Sequence, residues 1–206
     1  MTRKTIRLIG DIHGDFEAYK ELTRGSEFSV QVGDFGIGFA GPYWHDRTNK
    51  FHSDGNHKFI RGNHDNPEKC KEMIGWISDG TIDENGIFYI GGAASIDRSI
   101  RTQDVDWWPE EELSIVELNK MIDLYEASTP DIVISHTFPY GILREMFVGE
   151  SKILLKSRTE LALQTMFEIH QPSHWIGGHW HMSRVANIMG TEFRCLNIEE
   201  VYDLEL

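Results

Sequence analysis

The stretch Thr5-Ile-Arg-Leu-Ile-Gly-Asp-Ile-His-Gly-Asp15 decides the fold class. Thr5 to Gly10 is a short β-branched, apolar run that stops at Gly10 and Asp11, which reads as a strand running into a polar loop. Asp15 to Arg24 follows with apolar residues at Phe16, Tyr19 and Leu22, the spacing of a helix. The same grammar recurs at Phe28–Val32, ending in Gly33-Asp34, and at Lys58–Arg61, ending in Gly62-Asn63-His64-Asp65 before Pro67 opens a short helix. Ile87–Ile90 is a further strand, ending in Gly91-Gly92. Glu110 to Glu126 carries apolar residues at Leu113, Val116, Leu118, Ile122 and Tyr125, an amphipathic helix stopped by Pro130. Asp131–Ser135 is a strand that ends in His136, Leu161–His170 is helical, and Trp175–Gly178 leads into His179-Trp180-His181. Arg184–Ile188 and Glu192–Ile198 form a hairpin turning at Met189-Gly190. Alternating β and α elements predict an α/β sheet covered by helices, with a site along the edge where strands end in polar residues. Gly36–Asn56, the least periodic stretch, is expected as a long loop beside that site.

At roughly 150 residues per domain, 206 residues make one domain spanning 1–206. The formal charge of -13, from 20 Lys+Arg against 33 Asp+Glu, repels polyanions, so long nucleic acid and anionic membranes are poor partners. A cation-gathering pocket fits better. Cys70 and Cys195 are too few and too far apart to staple a secreted domain, which favours a reducing, cytoplasmic setting. The basic start of the chain lacks the apolar core of a signal peptide, and no stretch approaches ~18 consecutive apolar residues.

Five short pieces place carboxylate, imidazole or amide groups just after predicted strands: Asp11-Ile-His13, Gly33-Asp34, Gly62-Asn63-His64-Asp65, Ser135-His136 and Gly178-His179-Trp-His181. Oxygen and nitrogen donors without a nearby thiol suit Mn²⁺, Fe or Zn²⁺. Alternation on an extended loop lets Asp11 with His13, and His179 with His181, each present two ligands to one place. Singly, each piece reads as a turn, a helix cap or a buried histidine. Five in this order do not.

Together they resemble the blocks of the calcineurin-like metallophosphoesterase superfamily, from Asp11 to His181. The resemblance implies a four-layer α/β/β/α sandwich with two metal ions at one end of its sheets. Asp11, His13 and His181 would hold the first ion, Asn63, His136 and His179 the second, and Asp34 would bridge them. His64 would act on the substrate, oriented by Asp65. Two divalent ions against the carboxylates of Asp11 and Asp34 leave net positive charge for a phosphate. Ions ~3.5–4 Å apart can share a water, lower its pKa and aim it in line with the leaving oxygen.

The protein phosphatase branch of the superfamily carries a further Asp-Arg-Gly after Gly-Asp, its arginine gripping the phosphoryl group. Here Phe35-Gly36-Ile37-Gly38-Phe39 follows Asp34, and the third block reads Asn-His-Asp, as in the diesterase and nucleotidase branches. A phosphodiesterase of small or cyclic nucleotides is therefore expected; a phosphomonoesterase on small molecules or phosphoproteins is the alternative, and a metal-free binding scaffold the non-enzymatic one. Gly91–Arg101 with Trp107-Trp108-Pro109-Glu110-Glu111 resembles a segment of small bacterial and phage members. Arg98 or Arg101 is expected to reach the phosphate, against a surface ion pair as the plain alternative. Trp107-Trp108 offers a stacking face, against helix-cap packing. His45, His52 and His57 lie in or beside the Gly36–Asn56 loop and read first as solvated.

Overall fold

The computed structural model describes residues 4–39, 42–147 and 156–206. β1 (Thr5–Ile9), β2 (Ser29–Gln31) and β3 (His57–Phe59) run parallel, with Arg7 opposite Ser29 and Gln31 opposite Phe59. β10 (Val201–Glu205) adds antiparallel to β1, completing a four-stranded sheet ordered β10-β1-β2-β3. The second sheet is built from β4 (Thr81–Ile82), β5 (Ile87–Ile90), β6 (Ile132–Ser135), β7 (His174–Gly177), β8 (Arg184–Ile188) and β9 (Thr191–Cys195). Its order is β4-β5-β6-β7-β9-β8, parallel from β5 through β9 and antiparallel at both edges.

Side chains alternate across a strand, and that alternation sorts the apolar residues into three layers. Ile6 and Leu8 of β1 meet Ile87 and Tyr89 of β5, Ile134 of β6 and Ile176 of β7 between the two sheets. Phe88, Val133, Trp175 and Phe193 point the other way, onto α4 (Ile115–Ser128), α5 (Tyr140–Met146) and α6 (Arg158–Ile169). On the far face of the first sheet, Ile9 and Phe59 pack with Phe16 and Tyr19 of α1 (Phe16–Thr23). The product is a four-layer α/β/β/α sandwich of two mixed sheets. No described helix is long and apolar enough to cross a membrane, and both cysteines are buried free thiols.

Several boundaries differ from the sequence reading. The expected Gly36–Asn56 loop contains α2 (Pro42–Phe51) and a 3-10 turn at His52–Asp54; residues 40 and 41 of it lie outside the described residues. Trp44, Thr48 and Phe51 follow helical spacing, and Trp44 and Phe51 pack on the α1 side of the sheet. The helix expected from Glu110 begins instead at Ile115, because Ser114 and Glu117 form a capping box, and residues 109–111 make a separate 3-10 turn. It closes at Thr129, which takes a left-handed φ of 42° before Pro130 is reached. β4, α5 and β10 were not expected. α3 (Pro67–Cys70) is, as Pro67 predicts, a single short turn capped by Asn66.

α6 also starts at a capping box, Ser157 with Glu160, earlier than Leu161. Burial pushes the Glu160 carboxyl up to about 7; Ser157 pulls it down, and nearby Glu112 adds to the rise. A carboxyl raised in the folded state favours folding fully below its unfolded value near 4.5, and that contribution is lost as pH rises through about 7. Glutamine keeps the cap and does not titrate. Glu160→Gln is therefore expected to stabilise the protein at pH 8 by on the order of 1–3 kcal/mol, several degrees in Tm, and to change little at pH 4.5. Thermal melts at the two pH values check this; an equal Tm difference at both would contradict it.

Candidate metal centre

Each block of polar residues follows a strand of one of the two parallel cores: Asp11 after β1, Asp34 after β2, Asn63 after β3, His136 after β6 and His179 after β7. Parallel strands end on one side of their sheet, so the packed sheets bring all five loops to one edge. Left-handed backbone then turns the donors inward. Eight described non-glycine residues have positive φ, and four of them are His13, Asp34, His179 and His181. Such conformations cost of order 1–3 kcal/mol each and persist where surrounding structure enforces them. Glycine makes the close approach possible: a Cβ at Gly62 would stand 2.0 Å from Asp34 Oδ1, and one at Gly178 2.2 Å from Asp11 Oδ1.

The donors form two groups that share Asp34. One ligand atom each from Asp11, His13, Asp34 and His181 lie within 4.8 Å of one another, and so do those of Asp34, His136 and His179. His13 Nε2 is 3.0 Å from His181 Nε2, which is 3.1 Å from Asp11 Oδ2. His136 Nε2 is 3.3 Å from Asp34 Oδ1 and 3.1 Å from Asn63 Oδ1, while its Nδ1 donates to Val32 O at 2.9 Å. That backbone bond presents Nε2 to the centre. The residues expected at the two ions are thus together in one place.

Their charges fit a cation. Burial alone pushes Asp34 up, but His136, with His64 and His13 behind it, holds the carboxyl well below the usual carboxylate range. Burial pushes His136 down, and Asp34 more than reverses this, raising it to about 9. Burial and then the His136 charge drive His179 well below the ordinary imidazole value. Among the described residues, Asp34 Oδ2 is buried with no hydrogen-bond partner. A buried carboxylate oxygen without a donor, ringed by imidazole nitrogens, suits a divalent metal ion.

His64 belongs to neither donor group. Its backbone N–H donates to Asp34 Oδ1 at 2.8 Å, and its Nε2 faces Arg101 Nη2 at 3.3 Å. Burial lowers the imidazole, Asp34 pulls it back up and Arg101 pushes it down again. The expectation that Asp65 orients His64 is corrected by the structure. Asp65 is fully buried and accepts the backbone N–H groups of Phe35, Gly36, Ile37 and Gly62, at 2.7–3.1 Å. It ties the Asp34 loop to the Asn63 loop instead.

The centre opens into a cavity of about 800 Å³ whose walls include Phe39, Ile96, Asp97, Arg101 and Trp180. Of the two expected phosphate contacts, Arg101 reaches the cavity, whereas Arg98 is exposed on its 3-10 turn and does not line it. Arg101 makes a bidentate pair with Asp97, 2.7 Å at both nitrogens. Trp108 is buried edge-on against Phe39 at 5.3 Å and is no open stacking face; Trp107 is half-buried and outside the cavity lining. His45 accepts from Gly38 N, His52 pairs with the Tyr19 hydroxyl and His57 with Ser29, all away from the centre. Ser95, Asp97 and Glu111 were missed as site residues. Asp97 had a signal, four residues before Arg101 on a turn; Glu111 had none.

A family described as calcineurin-like phosphoesterase matches residues 4–183. No curated protein matches the chain. Among solved structures, a candidate 5′-nucleotidase from Staphylococcus aureus, solved with alpha-ketoglutarate, superimposes with a TM-score of 0.57 at 14% identity. The match covers 97% of this chain and 50% of that one, so the chain spans half the length of that neighbour. A dimetal phosphatase from Danio rerio gives 0.53 at 13% identity over 94% of this chain and 87% of that one. GAP50, the anchor in the inner membrane complex of Plasmodium, gives 0.54 at 10% over 95% and 72%. At these identities the likeness shows the fold alone.

Proposed function

Because the chain belongs to the calcineurin-like phosphoesterase family, we propose that it is a two-metal phosphoesterase that prefers phosphodiesters of small or cyclic nucleotides. The observation that supports this most is the sharing of Asp34 between two donor groups at the floor of one cavity. Asp11, His13 and His181 would hold one ion, Asn63, His136 and His179 the other, with Asp34 between them; Mn²⁺, Fe and Zn²⁺ all suit these donors. Bound there, such ions supply an activated water and offset the charge of the phosphate.

The remaining roles fall to the chain's own side chains. His64, which lines the same cavity, would hold or pass a proton at Nε2 to the leaving oxygen. Arg101 shares its cavity and offers a guanidinium to a phosphate oxygen. Asp97 offsets that charge, so the site adds little positive charge beyond the ions, which suits a singly charged diester better than a dianion. Phe39 and Ile96 both line the cavity and offer apolar surface against which a base or other organic group can lie.

Diesters are expected to be turned over with higher kcat/KM than matched monoesters. A panel in Mn²⁺ of bis-p-nitrophenyl phosphate, p-nitrophenyl phosphate, 2′,3′- and 3′,5′-cyclic nucleotides and a phosphopeptide measures the ratio. A monoester or phosphopeptide preference above about tenfold, ~1.4 kcal/mol in transition-state binding, would establish the phosphomonoesterase instead. Arg101 within the cavity is the feature that favours that second reading.

A further inference from the structure

Asn63 is the one amide among the candidate ligands, and which of its heteroatoms faces the centre depends on how the amide is turned. Its amide presents an oxygen or a nitrogen in nearly the same shape, and only the oxygen can ligate a cation. In the structure Oδ1 faces His136 Nε2, and Nδ2 donates to Ser95 Oγ at 3.0 Å. Ser95 lies beyond the end of β5, the neighbour of β6 in the second sheet, and its hydroxyl donates to Glu111 Oε2. The other carboxylate oxygen of Glu111 accepts Ser95 N–H at 2.9 Å. Asn63, Ser95 and Glu111 are 3%, 1% and 2% exposed, so solvent cannot substitute for any of these bonds.

We infer that Ser95 and Glu111 are positioning residues that hold the Asn63 amide with its oxygen turned toward the second ion. The inference rests on the two-ion reading of the site. A hydroxyl has one hydrogen. Once Glu111 takes it, Ser95 Oγ has only lone pairs left for Asn63 and accepts Nδ2, which turns Oδ1 the other way. Glu111 is itself anchored: Arg61 Nη1 donates to its backbone carbonyl at 2.7 Å, and Arg61 pairs with Asp79. Burying a carboxylate is costly, and here the cost is offset by the Ser95 hydroxyl and N–H together with a weaker contribution from the Trp107 side chain.

Glu111→Gln tests the polarity while conserving the shape. Ser95 N–H claims the new amide oxygen, the amide nitrogen donates to Oγ, and the Ser95 hydrogen turns to Asn63, whose amide then flips its nitrogen toward the ion. Titration of the metal-stripped chain with Mn²⁺ at pH 8, by calorimetry with metal analysis, is expected to show the second ion weakened about 10–100-fold and the first unchanged. In an Asn63→Asp background both side-chain oxygens can ligate, so adding Glu111→Gln is expected to cost nothing further. If Glu111→Gln does not fold, Ser95→Ala and Ser95→Thr take its place: the alanine weakens the second ion about tenfold and the threonine, keeping the hydroxyl, restores it. Two ions bound by the wild type and equally well by these variants would overturn the relay alone. The same loss in the Asn63→Asp background would reduce Glu111 to a structural role. A wild type that binds fewer than two ions would overturn the two-ion reading and the relay with it.

Discussion

Asp34→Asn is expected to lower turnover of every phosphoester by about 10³-fold or more, roughly 4 kcal/mol of transition-state stabilisation, and to release at least one ion. The substitution is nearly isosteric. An amide oxygen can still accept the His64 backbone N–H that Asp34 Oδ1 now takes, so the loop has no steric reason to move. What changes is charge and donor number. Among the described residues Asp34 is the only one common to both donor groups, and its Oδ2 is buried without a hydrogen-bond partner. An amide there would present a nitrogen bearing two hydrogens toward a cation, and one of the two negative charges opposing the ions is gone. Metal analysis beside activity measurement decides it: two ions retained at unchanged affinity would remove Asp34 from the shared position.

His64→Ala is expected to keep both ions, to lose ~10²–10⁴-fold on a nucleotide diester, and to lose clearly less on a p-nitrophenyl ester. A ribose alkoxide is a basic leaving group that needs a proton, whereas p-nitrophenolate departs unaided. For that transfer the proton must sit on His64 Nε2, where Arg101 Nη2 stands at 3.3 Å. Two N–H donors cannot face each other at that distance, so the role requires Arg101 to give its hydrogen to the substrate phosphate. Equal losses on both esters with ions intact would make His64 a positioning group for the phosphoryl. Loss of an ion would make it a ligand.

The alternation of strands and helices, and the polar residues at strand ends, could be read along the chain because both are local. A short β-branched, apolar run and the polar residues that end it are properties of a few consecutive residues, and β1, β2, β5, β6 and β7 lie close to where those patterns put them. Helix starts were legible in principle, since Ser114 with Glu117 and Ser157 with Glu160 are capping boxes; apolar spacing alone misplaced both. The α2 helix was masked by the glycines on either side of it, Gly36, Gly38, Gly41 and Gly55, though Trp44, Thr48 and Phe51 keep a helical period.

By itself the sequence determined the fold class and the set of donors that meet at one sheet edge, because order along parallel strands dictates which loops share an edge. Only the tertiary structure decided what each polar group does there. Asp65 follows His64 directly, yet its carboxylate turns to the amides of Phe35, Gly36 and Ile37. Arg98 and Arg101 stand on one turn, and only Arg101, held by Asp97, faces the cavity. Glu111 reaches Asn63 through Ser95 across a wide gap in sequence. Hydrogen bonds and burial depend on which segments the packed sheets bring within about 3 Å, and that distance is set by long-range packing that no local pattern encodes.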